Sequence, residues 1–385
     1  MERLILAVNS GTSSVKFALF DESLTRKLFG SVTRIGLPNS LFQVEGAQSF
    51  SSTTTVLDHT SAADLIGSWL VEHTNGSEIA TVGHRIVSAQ HHREPELLSD
   101  KLLLDLRNTW SLDPEHTDGE IALLNVFRKR FSASVHVVCF DTAFFSDLPR
   151  VAQMTSLPRH FENNGIRRHG FHGLSYSYLM QEISQIASDL AYGRIILAHL
   201  GSGSSLCAVQ NGKPVDMTMG TTPNSGVMMG TRSGDLDAGL VAHLLKANGG
   251  MNPEIFSHLV SFESGLLGVS EISADMYDLL QQENDVRASE TIALFCHQIK
   301  KQIGALATVL GGVDMLVFSG GMGDKAPKIR ARVCENLAFL GITLDEAKNN
   351  GNESIISKEG GMPVRVIPTN EELMIATYAR SMGNH

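Results

Sequence analysis

The chain lacks long apolar runs. No apolar run approaches the roughly 18–20 residues of a membrane-crossing helix. The start, Met1-Glu2-Arg3, leads into a short apolar run and then Asn9-Ser10-Gly11, without the apolar length or small-residue cleavage site of a secretory leader. It also lacks a basic surplus. Lys and Arg number 31 against 41 Asp and Glu, a formal net charge of −10. Nucleic acid and anionic lipid both demand a basic surface, so neither is expected as the main partner. A local basic pocket for phosphate stays open. Cysteine is scarce. Cys139, Cys207, Cys296 and Cys334 are far apart, match no metal-ligand spacing and have apolar neighbours. We expect buried, reduced thiols and a cytoplasmic location. There is no low-complexity tract.

What is present is an ordinary globular composition, 42% hydrophobic and 19% charged over 385 residues. That length favours two domains. The 35 glycines fall in clusters, which suggests tight turns. Leu4 to Val8 reads as a buried strand, Asn9 to Ser14 as a polar turn and Val15 to Phe20 as a second strand. This is strand–turn–strand, not the strand–turn–helix of a dinucleotide fold or P-loop. The unit recurs. Set without gaps against Ile195 onwards, Leu6 meets Leu197, Ala7 meets Ala198, Ser13 meets Ser204 and Ser14 meets Ser205. A duplicated α/β domain with one phosphate hairpin per half would give this pattern. Further strands are expected at Val135–Phe140, Met315–Phe318 and Arg365–Ile367. Helices are expected at Glu120–Phe131, Leu174–Ser188, Leu236–Ala247 and Val286–Leu310, from Pro327 to about Leu340 and from Asn370 onwards.

Several segments carry chemistry. In Asn9 to Lys16, backbone N–H groups and hydroxyls at a glycine turn can cradle phosphate oxygens. Lys16 adds a point charge, and the Asn9 carbonyl oxygen can face a hydrated metal ion. His199 to Ser205 repeats the logic. Ser319 to Asp324 follows a strand, and its glycines would let backbone lie flat against an adenine or ribose. Each of the three alone is also an ordinary glycine turn. In Met228 to Asp237, Arg232 sits in a glycine-flanked loop, suited to charge developing on a transferring phosphoryl group. The bland alternative is an ion pair with Asp235 or Asp237. Gly165 to Ser175 is dense in Arg, His and Gly, and His172 could donate to a phosphoryl oxygen. Arg85 stands in an apolar strand-like run, where a buried arginine needs a partner and a substrate carboxylate would serve. Asp141 closes the strand Val135–Phe140, where α/β folds place active residues, or else caps the next segment. Thr369 and Glu372 have capping-box spacing, which leaves Glu371 free to reach a magnesium water shell.

Three glycine-rich sites of this kind resemble the sugar kinase, actin and Hsp70 superfamily. Four strings are more specific: Met229 to Asp237, Phe140 to Phe144, Gly165 to Gly173 and Ile367 to Leu373. Taken with the rest, they resemble the acetate kinase family, which includes propionate and butyrate kinases, over nearly the whole chain. The resemblance implies two ribonuclease-H-like (actin-like ATPase) α/β domains with the active site in the interdomain cleft, and a homodimer. The expected domains are 1–147 plus 372–385, on the acyl side, and 148–371, on the nucleotide and dimerisation side. It implies reversible, direct in-line transfer between ATP and acetate or a similar short carboxylate, giving ADP and acyl phosphate.

By the same resemblance, Asn9 and Glu371 hold Mg²⁺, with Mn²⁺ as a substitute, and Lys16 lines the phosphate site. Arg85 binds the carboxylate. Arg232 and His172 stabilise the transition state, and Asp141 positions substrate and arginines. His199, Leu200, Gly201, Ser202 and Gly203 touch nucleotide phosphates. Asp275, Met276 and Tyr277, with Gly321, Met322, Gly323, Asp324 and Lys325, face ribose and adenine. Val87, His116, Phe171 and Pro223 shape the acyl site. The chain departs from the family at Ser202 (family Asn), Tyr277 (family Arg), residues 88–90, and Glu115, where the family has leucine beside the acyl group. The alternatives are another short or polar acyl substrate, pyrophosphate as the phosphoryl partner, or an actin- or Hsp70-type nucleotide-binding protein without kinase activity. A carboxylate is already ionised at neutral pH, so no general base is needed, and catalysis reduces to positioning and charge stabilisation.

Overall fold

The computed structural model describes residues 2–383 except 12, 47–48, 75, 88–91, 109–113 and 247–249; the side chains of 108 and 114–117 also lie outside the described set. The chain divides into two compact units. The first comprises Met1–Ser146, Gly173–Tyr178 and Asn370–His385; the second comprises Asp147–His172 and Leu179–Thr369. Against the boundaries expected from sequence, Asn370, Glu371 and Gly173–Tyr178 go with the first unit and Asp147 with the second.

Among the described residues, the first unit is built on an eight-stranded sheet. Its strands are β1 (Arg3–Ser10), β2 (Ser14–Asp21), β3 (Arg26–Thr33), β4 (Ser40–Gly46), β5 (Phe50–Thr54), β6 (Glu78–Ile86), β7 (Glu96–Leu97) and β8 (Val135–Phe140). Their order is β5-β4-β3-β2-β1-β6-β8-β7. The second unit has β9 (Arg194–Leu200), β10 (Ser204–Gln210), β11 (Lys213–Met217), β12 (Met315–Ser319) and β13 (Val364–Val366), in the order β11-β10-β9-β12-β13. The cores of the two sheets share one plan. Three antiparallel strands run third-second-first, and two strands parallel to the first follow: β3-β2-β1-β6-β8 and β11-β10-β9-β12-β13. This is the duplicated ribonuclease-H-like arrangement.

The ungapped match between the two hairpins does not survive in register. The innermost pair of the first hairpin, Ser10 with Val15, leaves four residues between them. Leu200 pairs with Ser204, leaving three. The second tip is therefore shorter, and the serines aligned without gaps fall at different ladder positions.

Burial explains why these runs are strands. In β1, residues from Leu4 to Ser10 are all buried, as expected of a central strand covered on both faces. One face packs Leu6, Phe17 and Leu19 under α1 (His59–His73) and α3 (Pro114–Arg130) through Ile66, Leu70 and Phe127. The other packs Ile5, Ala7 and Phe20 under α15 (Glu371–Gly383) through Ile375 and Ala379. In the second unit, α11 (Val286–Leu310) buries the predicted stripe of Ile292, Phe295, Ile299, Ile303, Leu306 and Leu310 against the sheet. Its ends are fixed by an Asp285 cap and by Gly311 at φ +70°. The predicted helix from Pro327 stops at Cys334, and Ala338–Leu340 forms a separate 3₁₀ turn. All four thiols are free and buried. Burial raises their pKa, Cys296 to about 11 and Cys334 to about 12. No helix among the described residues is long and apolar enough to cross a membrane.

A buried histidine pair beneath the first sheet makes stability depend on pH. His84 Nε2 lies 2.9 Å from His136 Nδ1, and His136 Nε2 lies 3.0 Å from the Phe131 carbonyl oxygen. A carbonyl can only accept, so His136 carries its proton on Nε2 and His84 donates to its Nδ1. Desolvation by burial, then the neighbouring ring, lowers the pKa of His84 well below its ordinary value; desolvation also lowers that of His136. Below a pH of about 6.5 the unfolded chain takes up protons that this pair refuses, so stability is full above that pH and falls with acidification. The urea midpoint should therefore drop between about pH 7 and pH 5, above the range where ordinary carboxylates titrate. A midpoint constant over that interval would contradict this assignment.

Candidate active site

In the first unit, three adjacent parallel strands end side by side: β1 at Asn9–Ser10, β6 at Arg85–Ile86 and β8 at Phe140, with Asp141 next in the chain. Carboxyl ends of parallel strands are where α/β sheets place ligands. Arg85 is held there from three sides. It donates from Nη1 to Asn9 Oδ1 and from Nη2 to Asp141 Oδ2, both at 2.9 Å, and Glu371 Oε2 lies 3.7 Å from Nη1. Burial pulls the guanidinium pKa down, but Asp141 and Glu371 outweigh it, and the net shift is upward. Arg85 is thus a fixed cation. Asp141 is wholly buried, and its Oδ1 accepts the Leu174 N–H of α6 (Gly173–Ile186) at 3.1 Å. It both caps and pairs.

Two expectations need correction here. Glu371 is not free: Asn9 Nδ2 donates to Glu371 Oε2 and to Glu372 Oε1, each at 2.8 Å. The helix cap is Asn370, whose Oδ1 accepts the Leu373 N–H at 3.0 Å. Thr369 Oγ1 is buried without a hydrogen-bond partner. The capping-box spacing was one residue early, and Glu372 serves Asn9 instead. Lys16 stands exposed on β2, in register with Asn9. Val87 is buried. Its N–H donates to both oxygens of Glu120, a buried carboxylate on α3 that nothing in its local sequence singles out. Glu115 and His116 belong to the start of α3, where the side chains lie outside the described residues, and residues 88–90 lie outside them altogether.

In the second unit the hairpin tip Gly201–Gly203 joins β9 to β10. His172 approaches it in a left-handed backbone conformation, φ +61°. Its Nδ1 lies 2.8 Å from Ser205 Oγ, and its ring stacks on His199 at 4.5 Å. A Cβ at Gly203 would come within 3.0 Å of His172 Nε2 and 3.8 Å of Arg232 Nη1. A side chain there would crowd the histidine, and the arginine lies within ordinary contact distance, so both converge on the tip. The Arg232 loop is hooked to the same tip: the Gly230 N–H donates to the Ser202 carbonyl, and the Met229 N–H to the Arg232 carbonyl. Asp235 and Asp237 accept backbone N–H groups, of Gly226 at 2.8 Å and Leu240 at 2.9 Å. Arg232 Nη1 points to the Pro223 carbonyl at 3.5 Å. Phe171 and Pro223 are buried. Within the arginine-rich segment, Arg168 is structural, pinned to Asp216 and to the Ala152 carbonyl.

Beside the tip lies a pocket of about 790 Å³, within the size range of ligand sites. Gly201, Ser202, Asp275, Met276, Tyr277, Gly321, Met322 and Lys325 line it, together with Ser273, Leu280, Gln281 and Lys328. His199, Leu200, Gly203, Gly323 and Asp324 are not among its lining residues. The Leu200 side chain is in the hydrophobic core, which leaves only its backbone to meet a ligand. Met276 is also mostly core. The expected turn at Ser319–Asp324 is instead a short helix, α12 (Gly320–Lys325). Behind it, the wholly buried Arg330 holds the Gly323 carbonyl at 2.9 Å and the Asn349 side-chain and backbone oxygens at 2.8 and 2.9 Å. Burial lowers its pKa and raises that of Asp324.

The profile of the Acetokinase family matches residues 4–377. A propionate kinase of Citrobacter rodentium is 39% identical over 98% of this chain and 96% of its own length. An acetate kinase of Symbiobacterium thermophilum is 38% identical over 97% of each chain. Among solved structures, Porphyromonas gingivalis acetate kinase superposes with a TM-score of 0.88 at 33% identity, covering 99% of each chain. A propionate kinase from Francisella tularensis gives 0.90 at 30%, with the same coverage. The chain belongs to the acetokinase family.

Proposed function

We propose that this protein is a Mg²⁺-dependent kinase that transfers a phosphoryl group between ATP and acetate or another short carboxylate, reversibly and in a single in-line step. The observation that carries this reading is the convergence of His172 and Arg232 on a glycine hairpin tip beside a nucleotide-sized pocket. A protein that merely bound nucleotide would need the pocket but not those two side chains. Arg85, a permanent cation in the first unit, would hold the carboxylate. Arg232 and His172 would carry the charge that builds on the transferring phosphoryl.

The donor set suits a hard cation. Asn9 and Glu371 offer oxygens only, and one or two carboxylates plus substrate phosphates are what Mg²⁺ takes. When bound, the ion would shield the phosphate oxygens.

The relatives are named as acetate and propionate kinases at nearly equal identity, so acyl length is the property to measure. Turnover with acetate, propionate and a short hydroxy acid, using ATP and then pyrophosphate as donor, tests the reading. We expect ADP formation that needs both a carboxylate and Mg²⁺. ADP formation indifferent to the carboxylate would refute it.

A homodimer is part of the proposal. Helices α7 (Ala238–Lys246) and α8 (Pro253–Phe262) bury none of their residues, and Leu240 and Ile255 are exposed. Apolar helices left so uncovered suit a subunit interface. Sedimentation should give twice the 41.7 kDa chain mass; a monomer at micromolar concentration would count against it. A reducing cytoplasm suits the four free thiols.

A further inference from the structure

We propose that Glu120 is a positioning residue for the acyl site: its buried carboxylate clamps the Val87 backbone and so sets how closely the Val87 side chain confines the acyl group. This rests on the kinase reading above and adds to it a determinant of acyl length. The sheet makes a clamp necessary. The ladder between β6 and β8 ends where Ile86 pairs with Phe140, and the Asp141 N–H closes it on the Ile86 carbonyl at 3.0 Å. Val87 is the first residue beyond it, and a buried backbone N–H left without an acceptor is costly. Both oxygens of Glu120 supply that acceptor, each 3.2 Å from the Val87 nitrogen.

Glu120 is itself held firmly. Its neighbours on α3, Ile121 and Leu124, pack in one cluster with Ile86 and Phe140, the last residues of β6 and β8. Gly119 lets α3 lie close on α1, since a Cβ there would come within 3.1 Å of His59 Nδ1. A carboxylate on so rigid a support can place its partner to the tolerance that a binding site demands. Its charge is also felt at the guanidinium. Burial lowers the Arg85 pKa, while Asp141, Glu371 and then Glu120 raise it. One carboxylate thus acts on two residues of the same strand end: on Val87 through a hydrogen bond, and on Arg85 through its charge.

The test is steady-state kinetics with ATP·Mg²⁺ and acetate, propionate or butyrate. The proteins are the full chain, Glu120→Ala, Glu120→Gln, Val87→Ala and the double variant Val87→Ala with Glu120→Ala. Glu120→Ala is expected to raise the propionate-to-acetate ratio of kcat/KM about tenfold, as the loosened wall admits a further methylene, with the KM for ATP unchanged. Glu120→Gln should restore the wild-type ratio, because its amide oxygen still accepts the Val87 N–H. With Val87 already cut to alanine, removing Glu120 should move the ratio no further. A wild-type ratio in folded Glu120→Ala would overturn the proposal, and so would a full additional shift in the double variant. Equal shifts in Glu120→Ala and Glu120→Gln would overturn it as well, because the charge and not the hold on Val87 would then be the determinant. Should Glu120→Ala fail to fold, Glu120→Asp keeps a carboxylate but draws it back by one methylene; a ratio shifted the same way supports the proposal, and a wild-type ratio overturns it. Wild-type protein that turned over none of the three acids would overturn the kinase reading itself.

Discussion

Arg232→Ala is expected to lower turnover by about 10³–10⁵-fold, with nucleotide affinity changed only a few-fold. The magnitude follows from what one arginine contributes when charge spreads over a transferring phosphoryl group. The separation of effects follows from its place. Arg232 sits on a loop hooked to the hairpin tip, next to His172, and is not among the residues lining the 790 Å³ pocket proposed for the nucleotide. Arg232→Lys should recover little, since an ammonium cannot make the two-point contact of the planar fork. Steady-state rates at saturating nucleotide and carboxylate, with ADP titrations alongside, check this. Turnover near the wild-type value in Arg232→Ala would remove the residue from the mechanism.

The second large effect is expected from a smaller change. A Cβ at Gly173 would lie 1.9 Å from the Asp141 carbonyl oxygen and 2.9 Å from the Phe144 Cβ. Neither neighbour is a flexible tip that can swing away, so Gly173→Ala must push α6 off the end of β8. The Asp141–Leu174 hydrogen bond goes with it, and the carboxylate that orients Arg85 loses its anchor. We expect about 2–3 kcal/mol of lost stability and about a hundredfold fall in kcat/KM from misplacement alone. Urea denaturation and carboxylate kinetics measure the two separately. A stable, fully active Gly173→Ala protein would mean that the close approach of α6 to Asp141 is not needed.

How much of this was legible in sequence depends on how local each signal is. The hairpins, β8, β12 and the α11 stripe are written in consecutive residues, so they could be read directly. The duplicated plan could be suspected from two similar hairpins, but their tip lengths could not, because an ungapped match has no way to register a difference in length. Arg85, Asp141, His172 and Arg232 stood out as polar residues in apolar or glycine-rich surroundings. Their partners did not stand out. Asn9 and Glu371 meet across 362 residues of sequence. Glu372 had a plausible local use as a cap, which the structure gives to Asn370. Glu120 reads as one more acid on an amphipathic helix, and only folding brings it to the Val87 N–H. At Leu200 and Met276 the residue type points to the core, which is where both side chains pack.

The claim on which the rest depends is that a carboxylate oxygen takes the phosphoryl group directly. Acyl phosphate trapped with hydroxylamine during turnover of ATP·Mg²⁺ and acetate tests it most directly. Hydroxamate should appear in one-to-one proportion with ADP, and neither should form when the carboxylate is left out. ADP released at the same rate without acetate, and with no hydroxamate, would contradict the account.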